Sequence, residues 1–145
     1  MILDERTEFS DALTVTATAI SDVIDLGATP TLRSIQGGEP LYLVISVDEA
    51  ATAAGAATVT FSLESDSTAD LATSATVHFA TAAIGKAALT LGSTQVAIPV
   101  PITANVERYL GVRYTVATGP LTTGKFSAYL TPVVPVATIY PDAAN

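Results

Sequence analysis

The sequence has no cysteine, no tryptophan, one histidine and one methionine, and only six lysines and arginines in 145 residues. Without cysteine there are no disulfides and no thiolate metal sites. The redox compartment is left open. With His78 as the only histidine, a metal site would need several acids beside it. A catalytic imidazole would need a nucleophile or an orienting carboxylate. Without tryptophan, sugar rings would have to stack on the five tyrosines. The six bases face fourteen acids, for a net charge of −8. That balance repels phosphate backbones and anionic lipid, so nucleic-acid and membrane partners are not expected.

Long apolar runs are also missing. No stretch approaches the roughly 18 apolar residues of a transmembrane helix. The opening "MILDERTEFSD" is acidic and lacks the basic start and apolar core of a signal peptide. The chain is therefore expected to be made in the cytoplasm and used there or in a larger assembly. Only 14% of residues are charged, against about 25% in ordinary domains. Thr, Ser and Ala must cover the remaining surface, which suits a permanent partner better than a free monomer.

Thr, Val and Ala dominate what is there, and 145 residues suit one domain, 1–145. In "PLYLVISV", Leu41, Leu43, Ile45 and Val47 share one face. In "TVTFSLES", Val59, Phe61 and Leu63 alternate with Thr58, Thr60 and Ser62, and in "TVHFA", Val77 and Phe79 flank His78. Period two predicts half-buried strands. His78 should then point away from the face of Val77 and Phe79, partly exposed. Between the first two strands, "DEAATAAGAAT" reads as a small-residue connection around Gly55, with room for one or two helical turns. Further strands are expected at 13–20, 23–26 and 94–100, with Pro99 and Pro101 placing the last at a sheet edge. A hairpin follows, 107–117 and 125–130, around "TGPLTTG", where Gly119, Pro120 and Gly124 supply turn dihedrals. The tail 131–145 carries three of its prolines in "TPVVPVATIYP" and should be extended. Some eight short strands with turn signals between them predict an all-β fold, an antiparallel β-sandwich or barrel.

Chemistry is sparse. No serine sits in a G-x-S-x-G elbow, and "IQGGEP" is a turn into a strand, not a phosphate-binding loop opening a helix. The acids Asp48, Glu49, Glu64, Asp66 and Asp70 match no EF-hand spacing. Solvated loop acids are the simpler reading, with calcium left open. No enzyme and no cofactor is expected. In the hairpin, Leu110, Val112, Tyr114 and Val116 share a core face, so Tyr109 and Arg113 project outward, next to Arg108. Tyr and Arg are enriched at binding hot spots. The plainer reading is an exposed Arg paired with a cross-strand acid. At the N-terminus, Ile2, Leu3 and Phe9 among acids read as anchors of an arm, 1–12, docking on a neighbour. A first strand on the chain's own sheet fits equally well.

Three stretches, "MILD…FSDA…VTATA…S…VIDLG", "GEPLYLVISVDEAATAAGAATVTFSLESD" and "ERYLGVRYTVATGPLTTGKFSAYLT", make the chain resemble the capsid cement, or decoration, proteins of tailed, short-tailed-type bacteriophages. The resemblance covers most of the chain and rests on structural motifs. It implies a jelly-roll-like sandwich bound to the outer surface of the phage head, where it staples neighbouring major capsid protein subunits. It also implies a small homo-oligomer, a dimer by preference, and no catalytic residues. The candidate interface is Ile2, Leu3, Phe9, Arg108, Tyr109 and Arg113. A carbohydrate- or receptor-binding jelly-roll module of a phage tail or adhesin is the alternative.

Overall fold

A computed structural model describes residues 5–28, 40–100 and 106–134. The described residues form ten strands: β1 Glu8–Thr14, β2 Ala19–Ile20, β3 Ile24–Asp25, β4 Tyr42–Thr52, β5 Thr58–Asp66, β6 Thr76–Ala80, β7 Ile84–Gly85, β8 Thr94–Pro99, β9 Tyr109–Ala117 and β10 Thr123–Thr131. Single 3-10 turns occupy Glu5–Thr7 and Lys86–Ala88. One sheet runs β1-β10-β4-β8. In the other, β9 and β5 form the centre, flanked by β2 and β3 on one side and β6 and β7 on the other. All pairings are antiparallel. With β2/β3 and β6/β7 each counted as one position, the sheets read 1-8-3-6 and 2-7-4-5. That order is the double Greek key of a jelly roll: the all-β sandwich that the strand pattern predicts, in the form that the resemblance implies.

Alternation along β4, β5, β9 and β10 builds the core. Leu43, Ile45, Val47, Val59, Phe61, Leu63, Leu110, Val112, Tyr114 and Phe126 are all buried. Each such side chain stabilises the fold by about 1.5–3 kcal/mol relative to exposure. Phe61 meets Tyr114 and Phe126 edge-on at 5.7 and 5.3 Å between centroids, while Tyr114 stacks on Phe126 at 5.7 Å. The Tyr114 hydroxyl donates to Ser10 Oγ at 2.7 Å, and Ser10 donates on to the Phe126 carbonyl. Burial pushes the Tyr114 phenol up to about 12.

Several expectations need correction. Residues 8–12 are not a free arm but follow the other reading, a first strand on the chain's own sheet: β1 pairs with β10 and Phe9 is a core residue, 1% exposed. The strand starts five residues earlier than expected and stops at Thr14. A kink at Ala12 (φ 46) interrupts its register, where the amide donates to Ser127 Oγ. The stretch after Val47 is not a helical connection. β4 continues to Thr52, and the turn to β5 is confined to 53–57. Gly124 lies inside β10, leaving the positive-φ turn residues as Thr118 and Gly119. Ile2 and Leu3, and most of the Pro-containing tail, lie outside the described residues.

The largest departure is in β6. Glu64 pairs with Val77 but Leu63 pairs with Phe79, so His78 is an extra residue, a β-bulge. A single inserted residue reverses the face of everything beyond it. Val77 therefore points outward, 55% exposed, while Phe79 packs against the core. His78 is half-buried and turns in, its Nε2 lying 2.7 Å from Ser65 Oγ.

Candidate interaction surface

The outer face of the second sheet is polar in sequence but only partly open to water. Opposite the core residues of β5 stand Ser62, Glu64 and Asp66, all buried. The loop between β5 and β6 covers them. Asp66 organises that loop. Its Oδ1 accepts from the Ser67 hydroxyl and the Thr68 amide, and its Oδ2 from the Thr73 and Ser74 amides at 3.0 and 3.1 Å. Burial pushes its carboxyl up, but the three amides and the Ser67 hydroxyl outweigh that and hold it below the usual carboxylate value. Asp70 caps the same loop through Thr68 and Ala72. These loop acids are engaged by protein donors, and among the described residues no cluster of three or more His, Asp or Glu is placed to hold a metal ion.

Leu71 sits at the loop's centre, 1% exposed at φ 48, a conformation that L residues seldom adopt. It packs over Gly111. A Cβ there would stand 2.9 Å from Leu71 Cδ1 and 3.0 Å from Val23 Cγ1, so glycine makes room for the loop. Arg113 fastens the arrangement: Nε donates to Glu64 Oε2 at 2.8 Å and a terminal nitrogen donates to the Leu71 carbonyl at 2.6 Å. Ser62 donates to the other Glu64 oxygen at 2.6 Å. Arg113 does project outward from β9, as alternation requires. Its guanidinium is nevertheless tied to its own fold, in the manner of the plainer reading.

Arg108 and Tyr109 are placed together at the other end of β9. The guanidinium lies 4.8 Å over the Tyr109 ring and makes a two-point contact with Asp25 at 2.8 and 2.7 Å. Both partners of this ion pair are more than two-fifths exposed. The hydrogen bonds to Asp25 and its charge raise the Arg108 pKa further. Asp25 also borders a cleft of about 810 Å³, lined by the first 3-10 turn, by β1 and by residues 22–27. Its rim brings together Glu5, Glu8, Asp11, Asp22 and Asp25, with Arg6 as the one base. Burial, then Asp11 and Glu5, push the Glu8 carboxyl above its usual value.

The sequence marked Arg108 and Tyr109 but not this cleft. Its acids come from "ERTEFSD" and "SDVID", two stretches that only the pairing of β1 and β3 into different sheets sets side by side. Among the described residues, no buried side-chain nitrogen or oxygen lacks a hydrogen-bond partner.

No curated protein matches the chain. A family model, Bbp16, matches residues 9–130, from β1 almost to the end of β10. The match spans most of the sequence and nearly all of the described sandwich, and the chain belongs to this phage-associated Bbp16 family.

Proposed function

We propose that this protein is a capsid cement protein. It binds the outer surface of a phage head and staples neighbouring major capsid protein subunits, acting as a small symmetric oligomer, a dimer by preference, and carrying out no catalysis. The observation that carries this reading is the membership of a phage-associated family by a chain whose buried polar side chains, among the described residues, are all engaged by hydrogen bonds. Glu64, Asp66, Arg113 and Ser65 all close loops or link strands. A rigid sandwich that presents a surface suits a mechanical role. Multivalency over a lattice then turns modest individual contacts into lasting attachment.

The docking ridge we favour is Arg108 with Tyr109, with the acids of the neighbouring cleft at its rim. Arg113 drops out of the anchor set because Glu64 and Leu71 hold it. Binding centred on such a ridge survives high salt, since screening removes long-range attraction but leaves desolvated contacts in place. Reconstitution tests the reading. Particles stripped of the protein should release DNA at a lower temperature than intact ones, and adding it back should restore them. Stripped particles as heat-resistant as intact ones would rule out stapling.

A further inference from the structure

The one histidine stands at the one bulge of β6, and its partner is a serine with no exposed surface. Ser65 Oγ accepts the Glu107 amide hydrogen at 3.0 Å. Its own hydrogen is then left for His78 Nε2, 2.7 Å away. That assigns the neutral ring the tautomer with its proton on Nδ1. The chain Glu107 N–H to Ser65 to His78 links three elements: the segment entering β9, the end of β5, and the outer strand β6. Thr76, on β6, reaches the same segment through the Glu107 carboxylate at 3.3 Å.

We propose that His78 is a pH-sensitive latch on this sheet edge: neutral, it accepts the buried Ser65 hydroxyl and holds β6 against β5 and the entry to β9; protonated, it releases them. Protonation turns Nε2 into a donor. Ser65 Oγ would then face two N–H donors, and its own hydrogen would lose the acceptor it has at a fully buried position, a loss that buried groups tolerate poorly.

The charged groups around the ring decide the direction. Glu107 acts on it and favours the imidazolium. From β5, Glu64 lies on the outer face under Arg113, and Asp66 is held by the amides of its loop. Asp70 on that loop caps its own turn. Arg108, beside Glu107, is turned to Asp25. Burial of the ring outweighs Glu107 and lowers the His78 pKa from its ordinary 6.5. The unfolded chain therefore binds the proton more readily than the folded one. The latch contributes in full above about pH 6.5 and is lost as pH falls below it. That window lies above the ordinary carboxylate range.

Three measurements on the full chain test this. Melting should drop by about 2–4 °C between pH 7.5 and 5.5, with faster amide exchange over residues 76–80. In His78→Gln, which keeps an acceptor but does not titrate, both changes should vanish. The proton shift of the His78 ring should titrate below 6.5, and Ser65→Ala should move it upward. The same drop in His78→Gln would overturn the proposal. So would a wild-type ring titrating at or above 6.5, a result that can be read even if neither variant folds.

Discussion

The two faces of the second sheet are built from the same two strands, β5 and β9, and they hold by different physics. The inner face is Val59, Phe61, Leu63, Leu110, Val112 and Tyr114, a dry apolar layer. The outer face is Ser62, Glu64, Asp66, Gly111 and Arg113, polar in sequence and yet mostly buried under the β5–β6 loop. Burial of the first is driven by water and is non-directional. Burial of the second is tolerated only because each polar group is matched by geometry. A substitution on the inner face loses area and leaves a cavity. One on the outer face strands a partner.

The largest effect should come from the inner face. Phe61→Ala removes the ring that touches both Tyr114 and Phe126. A loss of about 3–5 kcal/mol is expected, read as a fall in the urea midpoint at constant slope. If the loss were below that of any outer-face variant, the inner layer would not be the main source of stability.

Next comes Arg113→Met. It removes the donors to Glu64 and to the Leu71 carbonyl but retains packing, so the cost is mainly that of a carboxylate left buried, about 1–3 kcal/mol. Adding Glu64→Gln should recover part of it, since a neutral amide is cheaper to bury than a lone charge. A double variant as unstable as the sum of the two singles would mean the residues act independently.

Much of this comparison was readable in the sequence, and the unreadable part has a physical cause. Alternation identified β4, β5 and β9 and sorted Tyr109 and Arg113 from Leu110 and Val112. It reports which face a residue takes, however, and not whether water reaches that face. Nothing in "SLESD" says that a loop returns to cover it. The glycine at 111 and the Asp at 66 are the traces of that covering, and each needs the loop in place to be interpreted. The bulge at His78 is invisible for another reason: one added residue leaves the composition unchanged while reversing the pattern beyond it. Phe9 was left between an arm and a first strand because a single aromatic among acids carries no period at all.

Acid should separate the two faces without any substitution of the core. The folded chain holds Asp66 below its ordinary pKa of 3.8, so it binds fewer protons there than the unfolded chain. Its contribution is present above that value and is lost as pH falls through the folded pKa. Asp66→Asn turns one acceptor into a donor, facing either the Thr73 and Ser74 amides or the Thr68 amide. It should lower the melting temperature at pH 7 and flatten the decline below pH 4. Parallel wild-type and variant curves across that range would remove Asp66 from the outer-face account.

Arg108→Ala should give the smallest change in stability and the most informative one for function. Its ion pair with Asp25 is exposed on both sides, and exposed pairs contribute little to folding. The melting temperature should therefore stay within error of wild type. Desolvated against a partner, the same guanidinium over the Tyr109 ring has the composition of a hot spot, so affinity for stripped particles should fall about tenfold. Arg113→Met, tested alongside after correction for its lower stability, should bind normally, because that guanidinium is already engaged within the fold. If Arg113→Met weakens binding and Arg108→Ala does not, the docking surface lies on the covered outer face of β5 and β9 and not on the ridge beside the acidic cleft.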